Sequence, residues 1–246
     1  MSLNGKIYLL SAIIGISLIG VFFLGPINQD PAYHNFADIR SIFGIPNFFN
    51  FISNIPFLLV GVYGALYTTN YRQKKAPVSW ITLFIGVALV CFGSGYYHLN
   101  PAYDPLVWDR LPITIGFMGL VTGILSESIN PKIERYLLLP AVLLGVLSVM
   151  VWEFTNDLRL YLWVQAISIL IIPLVLLLFK GGYTHRAYYF YAFLLYIIAK
   201  LFEALDREVY DITGNLISGH TLKHLFAAGA IYSLYLMLRR REPRGG

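Results

Sequence analysis

Eight stretches of this chain stay apolar long enough to cross about 30 Å of hydrocarbon as helices, and nothing else in the sequence restricts its fold so strongly. They run from Ile7 to Gly25, Phe48 to Thr69, Val78 to Leu99, Leu106 to Ile129, Tyr136 to Phe154, Leu158 to Phe179, Tyr188 to Asp206 and Gly219 to Leu238. None shows the strict alternation of a strand. Only 13% of the residues are charged, where a soluble domain carries about 25%, and the mean hydropathy is +0.65. The longest connection, residues 26–47, leaves no room for a soluble domain. The expected fold is therefore all-α, a polytopic transmembrane helix bundle. The first stretch, preceded by Lys6 and followed by Gly25-Pro26, has some features of a signal peptide, but its length and the lack of a small-x-small cleavage site favour a retained helix. Cys91 is the single cysteine, which excludes an intramolecular disulfide.

The net charge of +5 is not a nucleic-acid signal, because the basic residues are sorted by loop. With eight spans both termini fall on one side, together with Lys6, Arg72, Lys74, Lys75, Lys132, Arg135, Lys180, Arg186, Arg239, Arg240, Arg241 and Arg244. The opposite loops hold only Arg40, Arg159 and Arg207. The positive-inside rule then makes both termini cytoplasmic. His98 ends the third span, Asp109 begins the fourth, and His220 and His224 begin the eighth, so all four reach the extracytoplasmic leaflet.

His220 and His224 are one helical turn apart, which places their Cβ atoms about 5–6 Å from each other on one face. Two such imidazoles can share a metal, and His98 supplies a third nitrogen. Three protein ligands with an open fourth position are the coordination of a catalytic zinc. Haem on two histidines would leave the third without a role. Ser94 lies one turn before His98 and can donate a hydrogen bond to a developing oxyanion, or bond back to its own helix. Asp109 follows a reversal forced by Asn100-Pro101 and Asp104-Pro105 and returns to the level of His98. There it can take a proton from water and pass it to a leaving amine, although an N-cap or an ion pair with Arg110 would also account for it.

Other polar residues carry weaker signals. Ser53, Asn54 and Pro56 lie in the second span, where Asn54 serves either helix packing or a hydrogen bond across helices that orients a ligand. Lys200, Glu203 and Asp206 form a stripe that must face protein, where they either pair as ions or offer a carboxylate that accepts a hydrogen bond from a histidine ligand. Lys223 is expected to snorkel outward. Tyr161 lies at the right depth to hold a substrate carbonyl.

Ser53-Asn54, Gly93-Ser94 with His98, Asp109, and the pair His220 and His224 together resemble the alkaline ceramidases of the CREST superfamily, over residues 47–240. The resemblance implies a seven-helix core over residues 47–246, preceded by an N-terminal transmembrane helix and extracytoplasmic loop over residues 1–46. It implies zinc on His98, His220 and His224, Asp109 as base and acid, Ser94 as oxyanion donor, and hydrolysis of the amide of a ceramide-like lipid drawn from the membrane. The wording WDRLP and SGHTLKH resembles the bacterial branch, hence a bacterial cytoplasmic membrane. Eukaryotic ceramidases carry a calcium-binding acidic cluster before the first core span. This chain reads YHNFADIRSIFGIPNFFN there, so calcium is doubtful. A seven-span zinc receptor or sensor, like the adiponectin and progestin receptors of the same superfamily, is the alternative. A transporter is disfavoured because interrupted helix pairs and inverted repeats are missing. Oligomeric state is not legible.

Overall fold

The computed structural model of the protein describes residues 1–71 and 77–244. The basic residues Arg72, Lys74 and Lys75 therefore lie outside the described residues. The chain is helical, and eight of the described helical stretches are long and apolar enough to cross a membrane. In chain order the helices are α1 (Leu3–Val21), α2 (Phe48–Ile52), α3 (Ile55–Tyr71), α4 (Val78–Leu99), α5 (Tyr103–Ser128), α6 (Lys132–Thr155), α7 (Arg159–Leu178), α8 (Ala187–Ala204), α9 (Asp206–Ile212) and α10 (Gly219–Arg240). Helix α1 lies against α7, with Trp163 Nε1 donating to Ser17 Oγ at 3.0 Å. Helices α4, α5 and α6 pack in sequence, and α10 fits between α8 and α3.

Two of the expected spans are interrupted, and both breaks matter for the site. The second divides at Ser53-Asn54 into α2 and α3. Pro56 has no N–H to offer the preceding turn and its ring crowds that turn. The Asn54 main-chain N–H turns to the Phe51 carbonyl, and the Asn50 carbonyl is taken by side chains, from Ser53 Oγ at 3.1 Å and Asn54 Nδ2 at 2.8 Å. The seventh ends at Ala204, and Asp206 opens the separate short helix α9 instead of closing α8.

The helix ends that carry the site are set locally. Asn156 closes α6 in the left-handed conformation, and Asp157 then receives the Arg159 main-chain N–H at 3.0 Å at the start of α7. The Arg159 guanidinium beside it holds the Asp157 carboxyl below its usual range. Ser218 caps α10 by accepting the Thr221 N–H at 3.1 Å. Pro105 falls in the first turn of α5, where a missing N–H costs nothing.

Two glycines allow the approaches that assemble the site. A Cβ on Gly93 would lie 2.0 Å from the Trp108 carbonyl oxygen, so α4 reaches the start of α5 only because that position is bare. A Cβ on Gly219 would lie 2.2 Å from the Phe202 carbonyl oxygen, so the first turn of α10 fits against the end of α8 for the same reason. The first approach brings Asp109 to Ser94, and the second seats His220.

Candidate active site

The last turn of α4 and the first two turns of α10 bring His98, His220 and His224 together at one end of the bundle. Their exposures are 1%, 4% and 3%, and one ligand nitrogen from each lies within 4.8 Å of the other two. His98 Nε2 and His220 Nε2 are 3.3 Å apart. Two nitrogens bound to one tetrahedral zinc at 2.0–2.1 Å sit roughly 3.3–3.4 Å from each other. The three rings meet nearly edge to face, with centroids 4.8–5.2 Å apart, so their nitrogens converge and their faces do not stack. The donor set thus suits a divalent metal of the zinc type.

Residues around the rings fix their orientation. Ser53 Oγ lies 2.7 Å from His224 Nδ1. With the hydroxyl proton directed to the Asn50 carbonyl, the oxygen is free to accept from His224 Nδ1, the tautomer that keeps a lone pair on Nε2 for a metal. Asp206 accepts the main-chain N–H of His220 at 2.6 Å and that of Ala37 at 2.8 Å. The expectation that this stripe would hold a histidine ring is corrected to this extent: its carboxylate fixes the backbone of the ligand. Asn47 Nδ2 donates to the His98 carbonyl at 2.9 Å. Phe36, from the loop before α2, covers the rings of His220 and His98 at 4.4 and 4.8 Å between centroids. The 27–47 loop is thus a cover over the histidines, which its sequence did not reveal, because Phe36 reads there as one more aromatic in a loop.

Ser94 and Asp109 are buried beside this cluster, and the Ser94 hydroxyl stands against the Asp109 carboxylate. Asp109 forms no ion pair with Arg110, whose Nη2 turns to Gln29 Oε1. Tyr161 is buried, and its hydroxyl accepts from Gln165 Nε2 at 2.6 Å, which leaves its own proton to donate. Lys223 does not snorkel outward. Its ammonium is 2.9 Å from Glu203, which Lys200 also engages, because the α8 face opposite offers a carboxylate nearer than water. The carboxylate of Asp38 is committed to Arg40, at 2.6 Å.

Ser94, Asp109, Tyr161, Lys223 and His224 line one cavity of about 260 Å³. Apart from these groups and Arg110, Gln165, Lys200 and Glu203, its walls are aliphatic and aromatic, and on α10 they continue from His224 to Leu234, roughly 15 Å at a rise of 1.5 Å per residue.

This is the architecture of a multi-pass membrane protein whose buried histidine cluster opens on an apolar cavity. A family model described as Ceramidase matches residues 43–241, and the chain belongs to that family. Membership makes it a hydrolase of the carbon–nitrogen bond of a linear amide, with ceramide as the lipid hydrolysed, and places it in sphingolipid metabolism. The enzymatic reading of the sequence thus holds over the receptor. Among curated proteins none matches the chain.

Proposed function

We propose that the chain is a zinc-dependent hydrolase that cleaves the amide of a ceramide-like lipid within the membrane, with the ion on His98, His220 and His224. The observation that carries this reading is the convergence of the three ligand nitrogens within 4.8 Å, at the head of the cavity that Ser94 and Asp109 line. A zinc ion held there supplies Lewis-acid polarisation of the substrate carbonyl and acidification of a water near neutral pH.

The cavity receives the acyl chain and excludes bulk water from the amide. Asp109 takes a proton from the attacking water as the new C–O bond forms. Once Asp109 is protonated the Ser94 hydroxyl loses its anionic partner and turns to the oxyanion, to which the Tyr161 hydroxyl donates as well. Asp109 then returns the proton to the amide nitrogen, the C–N bond breaks, and fatty acid and amine leave. Residues 47–246 form the catalytic core in this reading, and residues 1–46 add the first helix and the cover that carries Phe36. Both termini face the cytoplasm and the site opens toward the extracytoplasmic leaflet of a bacterial cytoplasmic membrane, a reading supported by the sorting of basic residues among the loops.

The test is incubation of the zinc-loaded protein with a panel of N-acyl lipids, with fatty acid release read by mass spectrometry. Ceramide should yield fatty acid and sphingoid base. Asp109→Asn should keep about one zinc per chain while losing about 10²–10⁴-fold in rate. Ester cleavage without cleavage of any amide would reject the reading.

A further inference from the structure

The same cavity holds a guanidinium for which the hydrolytic scheme has no use. Arg110 is 4% exposed and lines the cavity one residue beyond Asp109. Its guanidinium carbon lies 4.0 Å from the centre of the Trp152 ring, 4.7 Å from that of Tyr161 and 5.7 Å from that of Tyr33. Nη2 donates to Gln29 Oε1, and the Tyr33 side chain also stands against the guanidinium. Nη1 is buried without a hydrogen-bond partner. Among the described residues no carboxylate forms a salt bridge with Arg110.

Two further buried polar atoms of this cluster also lack partners, Trp152 Nε1 and His34 Nε2. His34 bonds through Nδ1 to the Tyr97 hydroxyl at 2.9 Å, and burial, then the Arg110 charge, holds its imidazole below the ordinary range. The charged side chains lining the cavity are Arg110, Lys200 and Lys223 against Asp109 and Glu203. Glu203 engages both lysines, while neither carboxylate forms a salt bridge with Arg110, so the cavity carries one more positive than negative charge and the Arg110 guanidinium has no anionic partner. A guanidinium cannot shed its proton to escape burial, and the aromatic rings around it compensate the charge without filling its free donor.

We propose that Arg110 is an anion-binding site within the cavity, its Nη1 donating to a carboxylate or phosphate carried by a lipid held next to Asp109. If the chain is the hydrolase proposed above, that anion is either an acidic headgroup on the amine half of the substrate or the carboxylate of the released fatty acid. Both present a compact anion to one guanidinium donor, at the polar end of a cavity whose remaining depth is apolar.

The test is equilibrium binding of three uncleavable single-chain probes, hexadecyl phosphate, palmitate and the neutral hexadecanol, to the zinc-loaded full chain in the same detergent micelles. Quenching of tryptophan fluorescence reads the binding, since Trp152 lies against the guanidinium. At least one anion should bind about 10- to 100-fold more tightly than hexadecanol. Arg110→Gln should abolish that advantage without changing the affinity for hexadecanol. The tighter anion names the source, headgroup or product. Equal affinity for all three probes, or an anion preference that survives Arg110→Gln, overturns the proposal. If Arg110→Gln does not fold, Arg110→Lys decides: it keeps the charge and loses the planar fork, so it must bind the anion several-fold more weakly than the parent, and an unchanged affinity overturns the site. Because no probe is cleaved, a failure of the hydrolase reading would show in the lipid panel and leave this result standing.

Discussion

Replacing Ser53 by alanine separates the proposed metal centre from a merely packed trio of histidines. Ser53 is 5% exposed, and its hydroxyl is 2.7 Å from His224 Nδ1 and 3.1 Å from the Asn50 carbonyl that takes its proton. Removing it takes away the nearest acceptor of the Nδ1 proton, which frees the ring to rotate or to adopt the tautomer whose Nε2 carries the proton. A buried donor stripped of its partner costs about 1–3 kcal/mol, or about 5- to 150-fold in an equilibrium constant. That range brackets the 10- to 100-fold losses in metal affinity that follow removal of such a supporting partner. Zinc affinity of Ser53→Ala, measured by competition with a chromogenic chelator, should therefore fall by about 10- to 100-fold. The control is Ser148→Ala, which deletes an equally buried hydroxyl bonded to the Gly145 carbonyl at 2.7 Å on α6. Zinc affinity unchanged in Ser53→Ala, or reduced equally in both variants, would refute the assignment of His224 as a ligand oriented by Ser53.

Two further outcomes follow from the packing. Gly93→Ala places a Cβ 2.0 Å from the Trp108 carbonyl, so α4 and α5 must separate; thermal unfolding should show a loss of about 1–3 kcal/mol, and hydrolysis should fall by more than the loss of folded protein explains as Ser94 and Asp109 part. Ala230→Phe fills a buried position on the α10 wall of the cavity, and the ratio of long-chain to short-chain ceramide turnover should drop by about 4-fold for each methylene that no longer fits, at about 0.8 kcal/mol each.

Membrane residence and the number of spans were legible in the sequence because a helix that crosses lipid must satisfy its backbone internally and show an apolar surface over its whole length. The histidines were legible because ionisable side chains within such helices are costly, and the spacing of His220 and His224 alone places both on one face. Partners chosen by tertiary approach were not legible. Lys223 reads as an outward-reaching lysine until α8 brings Glu203 to 2.9 Å from it. Ser53 reads as a packing serine until the break before Pro56 turns its hydroxyl to a ring on α10, 171 residues further along the chain. Arg110 reads as a partner for Asp109, its immediate neighbour, until the fold supplies Gln29 and three aromatic rings from other elements. The sequence by itself thus determined that helices cross the membrane and which of them carry ionisable groups, since both follow from local cost in lipid. Only the tertiary structure decided which of those groups meet, because hydrogen-bond and ion-pair geometry depends on approaches of a few ångströms, and those approaches were set by two bare glycines and two broken helices.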